Sequence, residues 1–74
     1  MHIKVKLYAG FREGRFSEKE WDFSEGITVD QILEELEIDK NEAGVVLVNS
    51  RQVERDYTLC EGDEIAIFPL IAGG

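Results

Sequence analysis

The sequence has 74 residues, 43% apolar and 32% charged, with 16 acidic against 8 basic side chains and a formal charge of −8. That is one small domain, and its acidity excludes nucleic acid and anionic membrane as expected partners, since both need a positive field, while it suits a basic protein partner or plain solubility. No apolar run approaches a membrane span, no signal-peptide pattern opens the chain, and one cysteine with one histidine makes neither a disulfide framework nor a zinc site, so the expected compartment is the cytoplasm.

Ile3, Val5 and Leu7 alternate with Lys4, Lys6 and Tyr8, which predicts a half-buried strand over 2–8. Ala9 to Lys19 breaks the period with Gly10 and Gly14 and reads as a surface loop. Trp21 and Phe23 then share one face of a second strand, and both are expected in the core. After Glu25-Gly26, Thr28 is an N-cap, Gln31 completes a capping box, and Ile27 with Ile32 stands at hydrophobic-staple positions. Val29, Ile32, Leu33 and Leu36 make one stripe of a helix running from about Val29 to Leu36, with Asp30, Glu34, Glu35 and Glu37 in water.

Residues 37–44 read as a polar loop, and Val45 to Val48 as a strand with apolar side chains on both faces. Asn49-Ser50 is a turn, Gln52-Val53 a short return strand, and Tyr57 and Leu59 are expected to plug the underside of a surface loop. Glu61-Gly62-Asp63 turns the chain into a last strand, Glu64 to Phe68, with Ile65 and Ile67 on one face and Ala66 and Phe68 on the other. One helix cannot cover both faces of a sheet, so the order strand, strand, helix, strand, short strand, strand predicts a two-layer α+β domain. The domain is expected over residues 1–68, with a flexible tail over 69–74.

The sequence offers little to a catalyst. His2 reads as an exposed bystander, Cys60 has no basic neighbour to depress its pKa, and the serines lack a base and a nucleophile elbow. The tail Pro69-Leu70-Ile71-Ala72-Gly73-Gly74 is different. A Gly-Gly end is a thin strip of backbone with an unhindered carboxylate, able to enter a tunnel too narrow for a Cβ. If Ile65 and Ile67 point inward, Ala66 and Phe68 point outward beside Tyr8 and part of the Val45–Val48 run, and that face is expected to be an interface.

Across nearly its whole length the chain resembles the small ubiquitin-like sulfur carriers, the family of the molybdopterin synthase small subunit and the thiamine-pathway sulfur carrier. The resemblance rests on the strand Ile3–Tyr8, Gly26-Ile27-Thr28-Val29, Val48-Asn49-Ser50, Glu61-Gly62-Asp63-Glu64-Ile65 and the terminal Phe68-Pro69-Leu70-Ile71-Ala72-Gly73-Gly74. Phe68-Pro69 leans toward the molybdopterin branch, although the more usual pattern has a second proline where Leu70 stands. The connection Ala9–Lys19 is also shorter than the helical segment common in that branch.

The resemblance implies a β-grasp fold, a mixed sheet of four to five strands on one main helix. It also implies that an ATP-dependent, E1-like activating enzyme adenylates Gly74, which a sulfur donor converts to a thiocarboxylate. Gly73 would give access, and Leu70, Ile71 and Ala72 would grip a partner groove, with Tyr8, Ala66, Phe68 and Pro69 on the binding face. The chain would then be a carrier and not an enzyme, binding no cofactor or metal, with ATP used by its partner. A synthase large subunit would take the sulfur for molybdopterin synthesis. Thiamine thiazole, cysteine or methionine, and tungsten-pterin pathways stay open, as do a protein modifier and a pure interaction module.

Overall fold

The alternation of Ile3, Val5 and Leu7 with lysines produces strand β1, His2–Leu7, in the computed structural model, which describes residues 1–70. Strand β2, Glu18–Asp22, returns antiparallel, with Ile3 opposite Trp21. Helix α1 covers Val29–Glu35, followed by β3, Ala43–Val48, β4, Arg51–Gln52, and β5, Glu64–Pro69. The strands lie in the order β2-β1-β5-β3-β4, with β1 and β5 parallel at the centre and every other pairing antiparallel. A mixed sheet of five strands backed by one helix is the β-grasp architecture expected from the sequence.

The core lies between helix and sheet. Ile3, Val5, Leu7, Ile65 and Ile67 are wholly buried against Val29, Ile32 and Leu33, with Leu36, Val46, Val48 and Leu59 nearly so. Each such side chain contributes on the order of 1.5–3 kcal/mol by leaving water.

Both helix ends are closed as the local sequence dictates. The Thr28 hydroxyl accepts from the Gln31 N–H, and the Gln31 side chain accepts from the Thr28 N–H. The next two amides, Val29 and Asp30, donate to the carbonyls of Tyr57 and Arg55. At the other end Glu37 adopts φ 58°, its N–H donates to Glu34 O, and the Ile38 N–H donates to Leu33 O. This is a Schellman closure, in which Ile38 at its apolar position is buried beside Leu33. The Arg15 guanidinium reaches over from the first loop to donate to the carbonyls of Leu36 and Glu37.

The Asn49-Ser50 turn has both residues at positive φ, 51° and 70°, as a two-residue hairpin between Val48 and Arg51 requires. Asn49 does more than turn the chain. Its Nδ2 donates to Asp63 at 2.8 Å, its side-chain oxygen accepts from the Glu64 N–H, and its own N–H donates to Glu64 O. Asp63 in turn accepts from the Cys60 N–H at 2.8 Å. The Asn-Ser and Glu-Gly-Asp-Glu motifs, distant in sequence, thus form one hydrogen-bonded joint that fixes where β5 begins.

Several expectations need correction. The loop after β1 contains a turn of 3-10 helix, Ala9–Arg12, which buries Phe11, and β2 already starts at Glu18. Trp21 is only half-buried because β2 is an edge strand, where it packs between Phe16 and Phe23 under the Lys19 ammonium. Phe23 lies just past the end of β2, though it is buried as expected. The polar loop after the helix delivers Ile38 to the core, and β3 begins at Ala43. The return strand is Arg51–Gln52 and not Gln52-Val53. Leu59 is the plug, whereas Tyr57 is exposed. His2 is exposed but not idle, since its ring Nδ1 pairs with Asp22.

The turn chemistry generates a paired prediction for urea unfolding. Ser50→Gly relieves a left-handed residue with a free side chain and should stabilise the fold by about 0.5–1 kcal/mol. Asn49→Gly relieves less strain, since asparagine tolerates the left-handed region, and removes two side-chain hydrogen bonds, so it should destabilise by about 1–2 kcal/mol. Equal shifts of the unfolding midpoint in the two variants would contradict the joint.

Candidate functional site

The candidate site grows from the alternation in β5. Ile65 and Ile67 go under the helix, which sends Ala66 and Phe68 to the opposite face. Parallel pairing with β1 continues to Tyr8, whose N–H donates to Ile67 O at 3.3 Å, and so sets Tyr8 beside Phe68. The two rings stack with centroids 4.3 Å apart and planes 10° from parallel. Arg12 anchors its Nε on Leu7 O at 2.7 Å and holds its guanidinium 5.3 Å over the Tyr8 ring. On the other side β3 sets Val45 opposite Phe68 and Leu47 opposite Ala66.

Gly44, Val45, Leu47, Phe68, Pro69 and Leu70 together line a shallow groove that is almost wholly apolar. Leu70 is 63% exposed and Val45 40%, and no other part of the described chain covers them. The groove contains no titratable side chain, so it offers contact and exclusion of water, not proton transfer or nucleophilic attack.

The remainder of the same face is charged and in large part internally paired. Lys4 and Lys6 each lie 3.8 Å from Glu18, and Lys6 lies 3.4 Å from Glu64. The hydrogen bond to Glu64 and its negative charge hold the Lys6 ammonium above the usual lysine range. The two lysines of this half are thus paired within the molecule, with Glu20 opposite Lys4 left outside those pairs, while the other half is an open apolar surface.

Of the residues expected at the binding face, Tyr8, Phe68, Pro69 and Leu70 are contiguous here. Ala66 points to this face but is only 9% exposed, because the larger side chains of Lys6 and Leu47 flank it in register. Ile71, Ala72, Gly73 and Gly74 lie outside the described residues. Sequence reasoning did not single out Gly44, Leu47 or Arg12. The two-residue period of β3 could have assigned Leu47 once its register with β5 was known, whereas nothing local marks Gly44 or Arg12.

Comparison with curated proteins finds no match. Solved structures give clear likenesses. The HVO 2177 protein of Haloferax volcanii is 29% identical with a TM-score of 0.82, over 100% of this chain and 87% of that one. A Pyrococcus furiosus protein assigned as molybdopterin converting factor, subunit 1, is 28% identical with a TM-score of 0.77, over 96% of this chain and 99% of that one. The fold is shared with the complex of subunits 1 and 2 of molybdopterin-converting factor from Helicobacter pylori, at 15% identity and a TM-score of 0.67, over 100% of both chains. The ThiS family model matches residues 5–74, and with nearly the whole sequence covered the chain belongs to the ThiS family.

Proposed function

We propose that this chain is a sulfur carrier whose Gly74 carboxylate is adenylated by an ATP-dependent, E1-like enzyme and converted to a thiocarboxylate, with molybdopterin synthesis as the favoured destination of the sulfur. The observation that carries the reading is the open apolar groove, continuous with Pro69 and Leu70 and lying at the root of a tail that ends in Gly73-Gly74. Family membership and the 28% identity to the Pyrococcus furiosus protein support it.

In this reading the domain supplies docking and the tail supplies chemistry. A free carboxylate is a poor electrophile. Its oxygen attacks the ATP α-phosphorus and pyrophosphate leaves. Sulfide-level sulfur (hydrosulfide) then attacks the acyl carbon, the C–S bond forms as the C–O bond to AMP breaks, and loss of the sulfur-bound proton leaves the thiocarboxylate. ATP is bound by the activating enzyme, and this chain needs no cofactor of its own. Phe68 and Tyr8 form a rigid aromatic platform for the partner, and the exposed Leu70, with Ile71 and Ala72, leads Gly73 and Gly74 into its active site. A synthase large subunit then uses the same groove and accepts the sulfur.

Intact-mass spectrometry after incubation with the activating enzyme, ATP and a sulfur source tests the chemistry. Wild type should gain the mass difference of one oxygen-for-sulfur exchange, while deletion of Gly74 or addition of one alanine after it should abolish the gain. Either change shifts the carboxylate by up to about 3.6 Å, where even a 1 Å error costs about a hundredfold in rate. A lysine-linked conjugate in place of the exchange would make the protein a modifier. No covalent change at all would leave an interaction module.

The docking half is tested by Phe68→Ala. Partner affinity measured by calorimetry should fall by about 2 kcal/mol, as for a central aromatic anchor. The unfolding free energy should fall by about half as much, because Phe68 is outside the core and loses chiefly its stacking on Tyr8. A loss of stability with unchanged affinity would remove Phe68 from the interface.

A further inference from the structure

We propose that Gly44 is a positioning residue for the tail: its missing side chain lets the Pro69–Leu70 backbone lie against β3, so that the tail starts from a fixed point at Leu70. The inference deepens the carrier reading and rests on it for its consequence.

β3 has a bulge here. Ala43 faces Pro69 and Val45 faces Phe68, which makes Gly44 the extra residue. Glycine at a bulge often serves a positive φ, but Gly44 is not among the residues at positive φ. Its requirement is space. A Cβ on Gly44 would lie 2.9 Å from Leu70 Cα, 2.9 Å from Pro69 O and 3.0 Å from Leu70 N. All three are backbone atoms, so no rotamer change relieves the clash. A Cβ at Gly10, Gly14, Gly26 or Gly62 would meet nothing within 4 Å, so among the described glycines only Gly44 is required for clearance.

The space is used. The Leu70 N–H donates to Glu42 O at 2.7 Å, which straps the chain to the residue before β3 after β5 has ended. The strap holds backbone only, and the Leu70 side chain stays free for a partner. Measured from Leu70, the four following residues span at most about 14 Å to Gly74. Releasing the strap moves the fixed point back toward Phe68 and adds about 7 Å of slack. Adenylation demands placement of the carboxylate to about 1 Å, so that slack should lower the rate of the chemical step more than it weakens docking.

Amide hydrogen exchange and saturation kinetics of thiocarboxylate formation test the proposal together. In wild type the Leu70 amide should be protected. In Gly44→Ala its protection should fall by about tenfold or more while the central Val5, Ile65 and Ile67 amides keep theirs. In the same variant kcat should fall by about tenfold or more, with KM changed by less than about threefold. A second variant, one glycine inserted between Leu70 and Ile71, adds slack beyond the strap and leaves the sheet alone. It should retain Leu70 protection and lose kcat. Fast Leu70 exchange in wild type, unchanged Leu70 protection in Gly44→Ala, or an unchanged kcat in either variant would overturn the proposal. A wild type that never gains sulfur overturns the carrier reading and the positioning role with it, while the exchange data still decide separately whether Gly44 holds the strap.

Discussion

Parallel pairing of β1 with β5 joins the two ends of the domain at the centre of the sheet, and most of the architecture follows from it. No hairpin can connect parallel neighbours, so everything between Leu7 and Glu64 must serve as crossover and cover. The inner faces of the pair, Ile3, Val5, Leu7, Ile65 and Ile67, are wholly buried, which obliges α1 to bring its apolar stripe against them. With β5 central, its far end is flanked on both sides, by Tyr8 beyond β1 and by the Ala43–Val45 bulge of β3. The chain therefore leaves the sheet from a central strand and not from an edge. Phe68, Pro69 and Leu70 inherit their neighbours from that pairing.

The charge of the molecule follows the same geometry. A formal charge of −8 distributed evenly would surround the groove with like charges. On the sheet face, however, Lys4 and Lys6 balance Glu18 and Glu64, and Arg12 caps the aromatic stack at the groove's edge. The helix and its flanking loops hold much of the excess acid, in Asp30, Glu34, Glu35, Glu37 and Asp39. The groove itself is lined by no carboxylate, so a partner can meet that apolar centre without burying one there, whose desolvation would cost several kcal/mol. The acidic remainder can steer a basic partner from a distance without touching it.

How much of this was legible in the sequence depends on whether the signal was local. The capping box at Thr28 and Gln31, the turn at Asn49-Ser50 and the alternation in β1 and β5 are local, and each could be read directly, though not the turn's left-handed backbone. Phe11 and Ile38 were missed because each stands by itself in a polar stretch. Phe11 is buried by a 3-10 turn and Ile38 by the Schellman closure, and neither device has an apolar period. Alternation puts Trp21 in the core and hydrophobicity puts Tyr57 under a surface loop, but neither signal can tell an edge strand or a loop exterior from the interior. Gly44 and Arg12 depend on register and close approach across the fold, and no window of sequence contains both partners. The side of the sheet that Phe68 occupies is legible through the parity of β5, since burying Ile65 and Ile67 fixes it.

The one departure in the tail acquires a physical meaning from the strap. A proline at position 70, the more usual residue in the carriers this chain resembles, has no N–H and could not bond to Glu42 O. It would stiffen the root of the tail differently, by locking its own φ near −65° and biasing Pro69 toward extended backbone. Leucine gives up that covalent restriction, so the same chain needs a contact to hold the segment. The hydrogen bond to Glu42 provides one, but only because the backbone can approach β3 closely, and that approach requires the absence of a side chain at Gly44. The atoms that a Cβ at 44 would meet are backbone atoms that any residue at 70 carries, and what leucine adds and proline would lack is the N–H that uses the clearance.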